Sequence, residues 1–116
     1  MNDIKLKDLK LDYIRPDSST AKKLSIHFRR NLISQHPAII IGEDGKLYLF
    51  LSLTSHKISN SVKLKINPNP KKRNEESYVI FRMRANKKSA FSAPLNWTLT
   101  SSDYNLIIDY VNKKIK

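Results

Sequence analysis

The sequence predicts a mainly β protein (α+β) that ends in a helix. Three observations predict it: short apolar runs of period two recur over residues 47–84, an Asp-Gly pair separates two β-branched or leucine-rich runs, and the clearest helical spacing lies at the end of the chain. With 116 residues the chain suits one domain, 1–116, with a single modest core.

Along the chain, Leu9, Leu11 and Tyr13 alternate with Lys10, Asp12 and Ile14 as in a half-buried strand, which Pro16 and the polar residues after it end. The next segment reads two ways. Leu24, Phe28 and Leu32 sit at helical spacing with Thr20 as a cap, while Leu24, Ile26 and Phe28 alternate with Ser25, His27 and Arg29 as a strand would; an N-terminal helix is the preferred reading. Residues 37–41 form a β-branched run, and Glu43-Asp44-Gly45-Lys46 supplies a hairpin turn whose Asp-Gly pair tolerates positive φ. In the returning strand Leu47, Leu49, Leu51 and Leu53 face one side and Tyr48, Phe50, Ser52 and Thr54 the other. Both faces are therefore covered, as in a barrel or sandwich.

Val62, Leu64 and Ile66 alternate with Lys63 and Lys65, a strand with one apolar and one basic face. Residues 67–74 contain Pro68 and Pro70 and carry Lys71, Lys72 and Arg73, which reads as an exposed basic loop. Residues 78–84 return as one strand, with Val79, Phe81 and Met83 on one face and Tyr78, Ile80, Arg82 and Arg84 on the other. At the end, Thr100 and Asp103 have capping-box spacing, and Tyr104, Ile107, Ile108, Val111 and Ile115 make an apolar stripe. Lys113, Lys114 and Lys116 complement the negative end of the dipole.

Composition narrows function. Lys plus Arg number 22 against 10 Asp plus Glu, so the net charge is +12 and the expected partner is polyanionic, RNA first. The absence of cysteine excludes disulfides and thiolate metal sites, and two glycines are too few for a Gly-rich phosphate loop or a dinucleotide fingerprint. Three scattered histidines and the adjacent Glu75 and Glu76 do not make metal-ligand spacing, so neither a metal nor a cofactor is expected. Residues 1–15 lack the apolar centre of a signal peptide, and the run at 38–41 is far short of the ~20 residues that span a bilayer, so the expected compartment is the cytoplasm, away from membranes.

Cations crowd one third of the chain. Lys63, Lys65, Lys71, Lys72, Arg73, Arg82, Arg84, Lys87 and Lys88 are the candidate RNA-binding residues, because neighbouring strands would gather their charges on one surface. A solubilising charged face is the plainer reading of the same residues. Tyr48, Phe50, Tyr78 and Trp97 have the rings to stack on unpaired bases, although aromatics in small barrels more often fill the core.

The candidate chemistry lies around the first hairpin. Thr54, Ser55, His56 and Lys57 bring hydroxyls, an imidazole and an ammonium to one strand end, groups that suit a phosphate; a solvated turn is the plainer account of them. His36 before Pro37 either serves proton transfer or merely starts a strand, and His27 reads as a surface or packing residue. Metal-free RNA cleavage needs the 2′-hydroxyl deprotonated, the phosphate stabilised and the 5′-oxygen protonated, and these residue types can supply all three.

The stretch from His36-Pro37-Ala38-Ile39-Ile40-Ile41 to Leu53-Thr54-Ser55-His56-Lys57 resembles the MazF/PemK/Kid and ToxN-like toxins. In that family a basic residue and proline open an apolar strand, and the partner strand ends in Leu-Thr-Ser or Ile-Thr-Ser at the active site. The ToxN-like branch adds a lysine two residues later, where Lys57 stands. The MazF branch usually has arginine before the proline, where this chain has His36. The resemblance covers residues 35–57 well and implies an SH3-like β-barrel that acts as a metal-independent endoribonuclease, leaving 2′,3′-cyclic phosphate and 5′-hydroxyl ends. The catalytic residues it implies are Thr54, Ser55, Lys57 and His36. It also implies a toxin–antitoxin or phage-defence role with a cognate antitoxin, either an acidic protein or a repeat RNA, and allows a homodimer. A non-catalytic RNA-binding module is the alternative.

Overall fold

The computed structural model describes residues 26–115; the strand expected at 9–13 and the beginning of the expected N-terminal helix lie outside them. The described chain forms six short strands in one antiparallel sheet and a C-terminal helix.

The first element is a correction to the expected helix. Residues His27–Arg30 form strand β1, paired antiparallel with β2 (Pro37–Asp44) so that Phe28 lies opposite Ile39 and Arg30 opposite Pro37. Alternation wins because it sends Phe28 into the core while His27 and Arg29 share the other face. The third member of the helical stripe, Leu32, is exposed. The turn after β1 is built by buried Asn31, whose side-chain oxygen accepts the N–H groups of Ile33 (3.0 Å) and Ser34 (3.3 Å).

β2 and β3 (Leu47–Thr54) form the expected hairpin. Asp44 is still a paired strand residue, so the two loop residues are Gly45 and Lys46 rather than Asp-Gly. Gly45 takes φ +58°, the requirement of a turn with glycine at its first central position. The register shifts between Ile40 and Gly42, a bulge that bends β2.

The other edge of β3 is shared. Its beginning pairs with β6 (Arg84–Lys87) and its end with β5 (Tyr78–Ile80), which in turn pairs with β4 (Ser61–Lys63). The single strand expected at 78–84 is thus two strands with a break at 81–83, where Phe81 leaves the ladder to stack on Tyr110 with ring centroids 4.3 Å apart. The expected strand at 62–66 also stops early. After Lys63 the backbone turns toward the helix, the N–H of Lys65 donates to both carboxylate oxygens of Asp103 (3.0 and 2.9 Å), and Ile66 is left exposed.

Helix α1 (Ser101–Ile115) places Ile107 and Val111 against Phe28, Ile39, Ile41, Leu49, Leu51, Leu53, Leu64 and Val79, which form the main core. Thr100 caps it by accepting the N–H of Asp103 at 3.2 Å, but the Asp103 carboxylate reaches residue 65 instead of closing the capping box, and Tyr104 is exposed rather than part of the buried stripe. On the opposite face Ala38, Ile40 and Phe50 are covered by Phe91, whose ring meets Phe50 edge-on at 5.1 Å. Both faces of the hairpin are therefore buried, as its two-sided hydrophobicity predicted.

Among the described residues the sheet does not close into a barrel. Its order is β1-β2-β3-β5-β4, so β1 and β4 stand at its ends without pairing. β4 has three residues, and the outer side of β1 is already met by bridges from Phe28 to Leu95 and from Asn31 to Phe91.

Candidate functional site

One end of the sheet gathers the last residues of β1, the first of β2 and the last of β3. Arg30 and Pro37 lie directly opposite each other there, and Thr54, the last residue of β3, pairs with Tyr78. A cleft of about 180 Å³ opens at this end, lined among others by Arg30, His36, Thr54, Ser55, Lys72 and Glu76. It exceeds the ~150 Å³ cavity that admits benzene and suits a phosphate with part of its sugar rather than a whole oligonucleotide.

The wall around His36 is held firmly. Gln35 sits at φ +66°, an uncommon conformation for a residue with a side chain, and its carbonyl accepts a hydrogen bond from Arg30 Nη1 at 2.7 Å. Its N–H donates to the Asn31 carbonyl at 2.7 Å, and Asn31 N–H donates to the His36 carbonyl at 2.9 Å. These bonds fix the backbone on both sides of the imidazole and hold the Arg30 guanidinium at the cleft.

The opposite wall is the loop between β4 and β5. The expected basic loop is present but braced: buried Asn67 donates from Nδ2 to the Glu75 carbonyl (3.1 Å) and accepts from Asn69 N–H (3.0 Å), while Asn69 Oδ1 accepts from Lys71 N–H (3.0 Å). Lys71, Lys72 and Arg73 are exposed on it, and Lys72 lines the cleft.

Of the residues that sequence singles out for catalysis, His36, Thr54 and Ser55 meet in this cleft. Thr54 Oγ1 also accepts the N–H of His56 at 3.2 Å, which turns the chain away from β3. Lys57 follows that turn, exposed and outside the cleft lining. The cations expected to bind RNA disperse. Lys63 is 2.9 Å from Glu76 and is held in its charged form by that hydrogen bond and charge, while Lys65 is exposed beside the helix N-terminus. Arg82 is exposed, and Arg84 lies over the Phe50 ring on the other sheet face. Lys87 and Lys88 stand at the hairpin end beside Gly45 and Lys46, with Lys88 3.2 Å from Glu43 and over the Tyr48 ring.

Among the four aromatics, Phe50 and Tyr78 are buried and Tyr48 is covered by Arg29, whose guanidinium lies 4.9 Å from the ring centre. Trp97 alone of the four lines the cleft, half-buried against Phe28.

No protein-family model matches the chain, and no curated protein does either.

Arg30, Glu76, Asn67 and Asn69 are site residues that sequence reasoning missed. Arg30 enters through the β1–β2 register, a long-range fact hidden while residues 24–32 read as a helix. Glu76 stands out only as a carboxylate within a basic segment. Its carboxylate accepts hydrogen bonds from Lys63 and, at 3.1 Å, from Tyr78 OH, and the Lys63 bond above all holds its pKa below the ordinary 4.5. Among the described residues no three His, Cys, Asp or Glu side chains gather as a metal site, and no helix is long and apolar enough to cross a membrane.

Proposed function

We propose that the cleft holds one phosphate of a single-stranded RNA and cleaves the chain there without a metal ion, as a toxin-type endoribonuclease. The observation that carries this reading is that His36, Thr54 and Ser55, which the sequence separates, line one cleft with Arg30 and Lys72. Cations, hydroxyl donors and an imidazole are the groups that metal-free phosphodiester cleavage requires.

In this mechanism Arg30 and Lys72 bind the phosphate, the guanidinium as a planar fork and the ammonium as a point charge. Thr54 and Ser55 donate hydrogen bonds to the non-bridging oxygens as negative charge grows on them. Attack of the 2′-oxygen on phosphorus forms the 2′,3′-cyclic phosphate, and His36 in its protonated form gives its proton to the departing 5′-oxygen. Trp97 offers a face to the adjoining base. The hairpin with both faces covered and its shared outer edge are consistent with an SH3-like barrel left open between β1 and β4. The toxin reading carries with it a cytoplasmic site of action and an antitoxin, either an acidic protein or a repeat RNA, that would neutralise the basic cleft; a homodimer belongs to the same reading.

The test is incubation of purified protein with single-stranded RNA in EDTA, with the new ends identified. Cyclic-phosphate and 5′-hydroxyl ends are expected, with the rate lowered in His36→Ala and Thr54→Ala. Tight binding with no new ends would identify a non-catalytic RNA-binding module instead.

A further inference from the structure

The geometry points to Glu76 as the general base that takes the 2′-hydroxyl proton, a role that rests on the nuclease reading of the cleft. Glu76 lines the same cleft as His36, Arg30 and Lys72, and it brings a carboxylate to a surface otherwise suited to anions. A negative group beside a phosphate site weakens binding, so its presence needs a reason.

Stability does not supply that reason. The Lys63–Glu76 pair is exposed on both sides, at 57% for each side chain, and such pairs contribute little to folding. What the surroundings do achieve is control of the carboxylate. Lys63 Nζ reaches one oxygen at 2.9 Å and Tyr78 OH donates to the other at 3.1 Å, which fixes the plane of the group. A carboxylate accepts about four hydrogen bonds, so a lone pair on each oxygen is left for a substrate hydroxyl.

The step balances. The 2′-hydroxyl proton passes to a Glu76 oxygen as the 2′-oxygen bonds to phosphorus; the bond from phosphorus to the 5′-oxygen breaks, and that oxygen takes a proton from the His36 imidazolium. Glu76 ends protonated and His36 neutral, and exchange with water resets both. Around Glu76 stand Lys63 from β4, Lys72 and Glu75 from its own loop, Arg30 and His36 from the cleft lining, and the Tyr78 hydroxyl. The Lys63 hydrogen bond first, then that of the Tyr78 hydroxyl and the Lys63 charge, favour its ionised form, so the base is present in full at neutral pH although weaker than an isolated carboxylate.

The experiment measures single-turnover cleavage of an RNA oligonucleotide in EDTA from pH 3.5 to 8.5, alongside RNA affinity. Glu76→Gln, which keeps an acceptor for Tyr78, should slow cleavage by about 10²-fold or more, leave affinity unchanged or raise it, and remove the acid limb of the profile. Lys63→Met should slow cleavage less than Glu76→Gln does and move the acid limb up toward the ordinary carboxylate value of 4.5. Glu76→Gln cleaving at the parental rate with the parental acid limb, or losing RNA affinity together with cleavage, overturns the assignment. A parent protein that leaves the RNA intact defeats the nuclease reading itself, a distinct result.

Discussion

Thr54 ends a strand whose alternation sends Leu53 into the core, which leaves its hydroxyl at the rim of the cleft. If it donates to the phosphate as charge develops, Thr54→Ala should lower the single-turnover rate by about 10²-fold while RNA affinity changes little, the behaviour of a donor used chiefly in the transition state. Lys57→Ala should cost less than Thr54→Ala in the same assay, because Lys57 is exposed and does not line the cleft. Equal losses would put the phosphate further along the turn. His36→Ala should slow cleavage in the same assay, because the imidazole lines the cleft with Thr54 and Ser55 and gives its proton to the departing 5′-oxygen. The pKa of Glu76 is depressed, so the ionised form is retained well below neutrality and is lost as pH falls through the lowered value, which sets the acid limb.

Among the elements, those decided by local chemistry were readable. The hairpin of β2 and β3 follows from its alternation and Gly45, and α1 from its stripe and the Thr100 cap. The elements decided by distant partners were not. β1 is a strand because the edge of β2 accepts it, β4 stops where Asp103 captures the Lys65 N–H, and the 78–87 segment breaks where Phe81 turns to Tyr110. No window of sequence around those residues contains the partner. Asp103 is almost fully buried and ties the helix N-terminus to the loop that carries Lys72, so Asp103→Ala should leave the part-buried N–H of Lys65 without its acceptor. The expected cost is about 1–3 kcal/mol, read as a melting temperature lower by roughly 4 °C or more. An unchanged melting temperature would mean that water replaces the carboxylate at no cost. Gly45→Ala meets no steric obstacle in space but is held at φ +58°, so it should destabilise by about 1 kcal/mol without touching cleavage.

At the scale of the whole molecule, two groups of basic side chains among the described residues stand at opposite ends of the sheet. Lys72 lines the cleft with Lys71 and Arg73 exposed beside it on the same loop, and Lys46, Lys87 and Lys88 stand at the hairpin; the length of β3 separates the two groups by roughly 23 Å. Neutralising Lys71, Lys72 and Arg73 should weaken RNA binding for all sequences and reduce the salt dependence by about one unit of slope per lost contact. Neutralising Lys87 and Lys88 should leave the slope for a short oligonucleotide unchanged. Sequence alone singles out His36, Thr54 and Ser55 because a short motif carries them, and Lys72 and Trp97 by their charge and ring. Arg30 and Glu76 were illegible because a β1–β2 register and a loop closure bring them in. The most direct measurement of the central claim compares an RNA oligonucleotide with the same sequence bearing a 2′-deoxy sugar at the cleaved nucleotide, both in EDTA. Cleavage of the RNA to a 2′,3′-cyclic phosphate, with the deoxy oligonucleotide bound but uncut, is the predicted result. An RNA left intact, or equal cleavage of both, would contradict it.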